Sequence, residues 1–176
     1  MKTKDVVSIG LCTALICVGA FIKIPIPIIP FTLQFMFINL TGLLLGWKKG
    51  LLAVIVYISL GLLGLPVFSG GGGLSYITMP SFGFVLGFIP LVILAGICSK
   101  NASSLKGYFK ASIPGYLALY MVALPYLYIY LNVITGKDLG IVYLIGAYFI
   151  KFMVTDVIQL YVSSLLAKKI RPIINL

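Results

Sequence analysis

Gly64-Leu65-Pro66-Val67-Phe68-Ser69-Gly70-Gly71-Gly72-Gly73-Leu74-Ser75-Tyr76, continuing to Pro80-Ser81-Phe82-Gly83-Phe84, is the stretch that decides the fold. Nearly everything around it reads as apolar helix. This piece cannot be an ordinary helix, because four consecutive glycines carry the largest backbone entropy and Pro66 and Pro80 each lack an N–H. Irregular backbone at membrane depth survives only where it is buried in protein or lines a cavity.

The membrane is implied by composition. Of 176 residues, 61% are hydrophobic and 9% charged, and the mean hydropathy is +1.19. Soluble domains carry roughly 25% charged residues. A water-soluble fold is therefore excluded, and residues 1–176 read as one membrane domain. The net charge of +10 does not signal nucleic acid, since the basic residues sit singly or in pairs between apolar runs rather than in a stripe. Cys12, Cys17 and Cys98 all lie in apolar runs with no paired spacing, so neither a disulfide framework nor a metal site is expected. The chain has no histidine and only three acids, Asp5, Asp138 and Asp156.

Working outward from the glycine run, six spans emerge. A run from about Val6 to Ile24, preceded by Lys2 and Lys4, is too long for a signal-peptide core and reads as the first span. Gly10, Ala14 and Cys17 place small residues on one face of it, which permits close approach of another membrane helix, inside the bundle or from a partner. Pro25, Pro27 and Pro30 then enforce an extended segment. A short apolar run ends at Gly46, before Trp47-Lys48-Lys49, and a third covers about Leu51 to Leu63. A fourth runs from about Gly83 to Cys98 and a fifth from about Ala111 to Leu131, rich in tyrosines that include Tyr116 and Tyr120. The last apolar stretch, about Leu139 to Ala167, is too long for one crossing of a ~30 Å core. Counting back from Lys168 starts the final helix near Phe149, with a loop helix or interfacial segment before it.

Basic residues set the orientation. With the N-terminus inside, the inner side holds Lys2, Lys4, Lys48, Lys49, Lys100, Lys106, Lys110, Lys168, Lys169 and Arg171, against Lys23, Lys137 and Lys151 at or near the outer side. That asymmetry places both termini in the cytoplasm and the glycine loop outside. The expected fold is an all-α integral membrane protein with six transmembrane helices and irregular outward-facing loops.

Asp156 is the sharpest candidate functional residue. A carboxyl within a span costs about 2.5–3.5 kcal/mol to insert, so it faces the bundle interior. It serves there either as a hydrogen bond between helices or as a ligand contact. Gln159, three residues on, shares its face, whereas Lys151, five residues earlier, points elsewhere on a regular helix or snorkels to the interface. The glycines lack the lysine of a phosphate-binding loop. Gly71, Gly72 and Gly73 instead allow backbone to approach a neutral small ligand or let the loop move, and Phe68, Tyr76, Phe82 and Phe84 either supply apolar walls or serve as ordinary lipid or core packing. No pair of carboxylates is available for acid–base work, so no enzyme is expected, and no cofactor is called for.

Three stretches together resemble the biotin transporter family BioY, the substrate-binding S components of energy-coupling factor (ECF) transporters. Pro27-Ile28-Ile29-Pro30-Phe31-Thr32-Leu33-Gln34 is similar to that family's P-x-PFTLQ segment. Gly61 to Phe68 with the glycine run is similar to its GLxGLPVF loop, and Pro80-Ser81-Phe82-Gly83-Phe84 to its P-T-G-G-Y element. Where the family's last helix opens with P-G-D-x-x-K, this chain reads Val154-Thr155-Asp156-Val157-Ile158-Gln159, keeping the acid but not the lysine. The resemblance implies a subunit of a prokaryotic plasma membrane that binds biotin, or a related small carboxylate, on the outer side. It implies an energising module of a transmembrane coupling subunit and two cytoplasmic ATPases, docking on the Gly10/Ala14/Cys17 face. It also adds Thr32 and Gln34 to the candidate ligand contacts. The rival reading is an autonomous ion-coupled transporter.

Overall fold

The computed structural model describes residues 2–25 and 28–174. Pro27, of the proline-rich segment, lies outside them. The chain is mostly helical, in the order α1 (Thr3–Phe21), β1 (Lys23–Ile24), β2 (Phe31–Thr32), α2 (Gln34–Leu62), α3 (Phe82–Cys98), α4 (Leu105–Ile129), α5 (Ile141–Leu144) and α6 (Lys151–Ile174). By length and composition four helical runs could cross a membrane: Thr3–Phe21, Gln34–Leu62, Leu105–Ile134 and Ile141–Ile174. Large apolar side chains stay exposed along them, such as Leu11 on α1, Met121 on α4 and Ile158 on α6. Such a belt belongs against lipid rather than water.

The second of these runs folds back on itself at Gly46, where φ is 72° and ψ is 176°. Only glycine occupies that region without strain. A Cβ on Gly50 would sit 3.5 Å from Gly42 Cα, a proximity no straight helix allows across eight residues. The two arms, 34–45 and 47–62, are tied further by the Gln34 amide donating to the Tyr57 hydroxyl at 2.5 Å. Trp47 and Lys48 mark the reversal, with the ammonium 5.5 Å from the indole centroid.

α3 is the central helix, packing on both α2 and α4, while α6 packs on α2 and α4 and α1 leans mainly on α2. Ile38, Leu43, Val54, Leu91 and Val92 are fully buried between them. One polar node braces the core: the Asn39 amide donates to Ser112 at 2.9 Å and Ser163 at 2.7 Å, joining α2, α4 and α6. Basic residues gather at one end, where Lys49 pairs with Asp5 at 2.6 Å, Lys4 donates to the Ile174 carbonyl and Arg171 to the Ser99 carbonyl.

Two elements depart from expectation. The first helix ends at Phe21, and Lys23–Ile24 instead pairs antiparallel with Phe31–Thr32 in a small hairpin. Prolines remove helix donors but leave these four residues free to form a ladder. The last α-helix starts at Lys151, close to the expected Phe149, with the short α5 before it, but the two are not separated. Helical geometry runs through from Ile141, because a π-helical segment, Ile145–Ile150, carries the backbone hydrogen bonding across the junction. That wider turn changes which faces align before and after it.

No atom lies within 4 Å of a Cβ built at Gly46, so alanine there meets backbone strain without a clash. Gly46→Ala is expected to lower stability by on the order of 1–3 kcal/mol, read as a reduced thermal midpoint in detergent; an unchanged midpoint would contradict a glycine-dependent reversal.

Candidate functional site

The helices splay around a cavity at the end opposite the basic cluster, under the Lys23–Thr32 hairpin and the glycine loop. Each contributes for a local reason. Pro30, Phe31 and Thr32 come from the hairpin, and Gln34 and Phe35 open α2 directly after it. Ser69, Tyr76 and Ser81 come from the glycine loop, and Phe84, Val85 and Phe88 from the first turns of α3. Leu119 and Tyr120 face in from α4, and Phe152, Asp156 and Gln159 from α6. Phe152 and Asp156 are four apart and Gln159 three further on, so one stripe of α6 looks inward.

Asp156 is buried at 6% exposure. Its Oδ2 accepts a hydrogen bond from the Tyr120 hydroxyl at 2.7 Å. Among the described residues, no lysine or arginine lines the cavity. The polar complement is therefore one carboxyl, two amides and several hydroxyls against aromatic walls. Phe84 meets Tyr120 edge to face at 5.7 Å, and Phe31 stacks on Phe152 at 6.3 Å.

Gln159 works in two directions. Its Oε1 accepts the Met36 N–H at 3.0 Å, and its Nε2 donates to the Thr32 carbonyl at 3.4 Å. Helix α6 thereby holds the hairpin and the start of α2. Thr32 in turn donates its hydroxyl to Gln34 Oε1 at 3.3 Å.

The glycine loop closes the top by packing on the end of α2. Phe68 is buried between Tyr57 and Tyr76, at ring distances of 5.4 and 4.5 Å. The Tyr76 hydroxyl lies between those of Ser69 and Ser81, at 3.1 and 2.8 Å. Lys23 donates from the hairpin to the Ser69 carbonyl at 2.6 Å, linking the two covers. Gly72 has to be glycine, since its Cβ would fall 2.1 Å from the Leu65 carbonyl oxygen.

Of the residues singled out from sequence, Thr32, Gln34, Tyr76, Asp156 and Gln159 converge on this cavity. Gly71, Gly72 and Gly73 do not line it; they shape the loop, and Gly73 donates to the Gly61 carbonyl at 2.7 Å. Phe68 and Phe82 stand behind Tyr76 as packing. Lys151 lines a neighbouring cleft with Ile24, Phe31, Phe152 and Thr155. On α1, Gly10 and Ala14 are exposed, whereas Cys17 is half-buried against the core. Sequence reasoning missed the lining role of Tyr120, although its place among the tyrosines of the fifth span faces the only acid in mid-helix. It also missed Ser69, Ser81 and Phe152, which become neighbours only once the loop and the α6 start are placed.

The free volume of the cavity is about 60 Å³. At roughly 10–15 Å³ per water this holds a few waters.

A BioY family model matches residues 1–175. This chain belongs to the BioY family. It is 41% identical over 173 residues to a protein of Lysinibacillus sphaericus named a probable biotin transporter BioY, covering 96% of this chain and 87% of that one. It is 33% identical over 171 residues to the biotin transporter BioY of Thermotoga maritima, covering 97% of each. The fold matches a crystal structure of the S-component for biotin from an ECF-type ABC transporter, with a TM-score of 0.85 and 24% identity over 98% of this chain and 95% of that one.

Removing the Gln159 side chain frees one backbone group of the hairpin, the Thr32 carbonyl, and one at the start of α2, the Met36 N–H, at about 0.5–1.5 kcal/mol for each hydrogen bond lost. Gln159→Ala is expected to speed amide hydrogen exchange across residues 31–36 while leaving α3 unchanged. Equal exchange in that segment would show that the hairpin is held by other contacts.

Proposed function

We propose that this chain is the membrane-embedded substrate-binding subunit for biotin uptake, energised by the ATPases of a separate ECF module. The observation that carries this is a small aromatic cavity with one carboxyl and two amides, lying under the hairpin and the glycine loop, in a chain of a family whose named members are biotin transporters. The family is one of transporters rather than enzymes.

Biotin's fused bicycle carries two ureido N–H donors, a carbonyl acceptor and an apolar thioether face. Asp156 accepts from an N–H, the Gln159 and Gln34 amides meet the remaining polar edge, and Phe84, Tyr120 and Phe152 flank the ring. Tyr76 and Thr32 close over it. Phe68, Phe82 and the three glycines act indirectly, by holding Tyr76 in place. Ligand enters by displacement of the hairpin and glycine loop.

The membrane arrangement follows the same reading. α1, the two arms of α2, α3, α4 and the α5–α6 run serve as six spans of one multi-pass domain in a prokaryotic plasma membrane. The cavity faces outward, and both termini and the basic cluster face the cytoplasm. The exposed face of α1, bearing Gly10 and Ala14, receives the coupling subunit, and Cys17 buttresses that helix from inside. A Cβ at Gly10 would meet nothing within 4 Å, so the surface is open.

Purified protein is expected to bind isotope-labelled biotin saturably at micromolar ligand or below; absence of saturable binding would sink the assignment. Asp156→Asn keeps an acceptor for Tyr120 but loses the charge. It is expected to weaken biotin by more than about fivefold, beyond the ~1 kcal/mol of an ordinary hydrogen bond, whereas unchanged affinity would assign Asp156 to structure alone. Gly10→Leu combined with Ala14→Leu should leave binding intact and abolish uptake in cells carrying the module. Normal uptake by that double variant would move the docking surface elsewhere.

A further inference from the structure

We propose that Lys151 forms a second subsite, in the cleft beside the main cavity, which takes the carboxylate at the end of the ligand's alkyl chain. The inference rests on the biotin reading above and names the part of the molecule which that reading leaves unplaced.

For an acid's anionic end the main cavity offers hydroxyl and amide donors but, among the described residues, no ammonium or guanidinium in its wall, and Lys23 beside it is engaged with the Ser69 carbonyl. Asp156 repels a carboxylate at close range. Next to the cavity lies a cleft of about 350 Å³, lined by Ile24, Phe31, Lys151, Phe152 and Thr155. Phe31 and Phe152 line both spaces. The partition is this one stacked pair, with rings 6.3 Å apart and 26° from parallel.

Position on α6 favours the same route. Lys151 precedes Asp156 by five residues, about 7.5 Å along the axis, and is turned away from the cavity stripe towards the side where Thr155 follows at i+4. A polar head at Asp156, joined by a short alkyl chain to a carboxylate, spans that separation if the chain passes the Phe31–Phe152 pair. The aliphatic chain then lies against two aromatic rings, and the carboxylate ends at an ammonium. No acid of the protein competes for Lys151 among the described residues, where the ion pair found joins Lys49 to Asp5 at the opposite end. Ile24 and Phe31 belong to the hairpin, so a tail in the cleft sits under the same cover as the head.

The test compares biotin with biotinamide, its neutral analogue, by equilibrium binding to the purified full-length chain. Lys151 is exposed, so its variants are expected to fold. Wild type should prefer biotin by about tenfold, as a partly exposed charge-assisted contact allows. Lys151→Gln should lose that preference by weakening biotin alone, and Lys151→Arg should keep it. An equal biotin-to-biotinamide ratio in wild type and Lys151→Gln, with biotin still bound tightly, overturns the subsite and leaves the biotin reading standing. Failure of wild type to bind either compound overturns that reading and the subsite with it.

Discussion

The constraint on which the structure depends is that backbone away from water must find its hydrogen-bond partners inside the protein. Helices satisfy this by themselves, but the hairpin and the glycine loop cannot. Their partners are therefore supplied one at a time. The Tyr126 hydroxyl donates to the Ile77 carbonyl, and Lys23 to that of Ser69. Phe68 and Gly71 exchange a pair of backbone bonds at 2.9 and 3.1 Å. Gly73 reaches the end of α2, and Gln159 of α6 serves Thr32 and Met36. Remove these and the covers have no reason to stay closed.

The cavity is built from much the same set of groups. Tyr76 points its ring at Phe68 and Phe82 and its hydroxyl at two serines of the cavity wall. Gln34 holds Tyr57 in the next arm while presenting part of itself to the space above. Below, the Asn39 node ties α2, α4 and α6 together. The floor is therefore stiff, and the roof is held by single bonds. Such an uneven distribution suits a site that admits a solute from one side only.

Much of this was legible in the sequence, through strong and local signals. An acid in an apolar helix has few places to go, and Asp156 is indeed buried in the cavity wall. Proline and glycine runs have to interrupt helices, and they do so on either side of α2. What could not be read was contact between distant segments. The glycines looked like ligand-facing backbone. Gly72 is instead required by a carbonyl seven residues earlier, a clash visible only once the loop has turned onto α2. The start of the last helix near Phe149 was inferred from length and lies close to the observed Lys151, but length could not show that a π-helical segment joins it to α5. Tyr120 was one tyrosine among several until α4 and α6 were brought together by packing.

Gln159 has a consequence for timing. It sits one turn from Asp156 on the floor, yet its amide is fastened to the roof. For a solute held at Asp156, opening of the hairpin also breaks a contact made from the same face of α6. Release under the hairpin then has to undo this bond along with the others that hold the covers, so residence time depends on the cover as well as on the contacts around the solute.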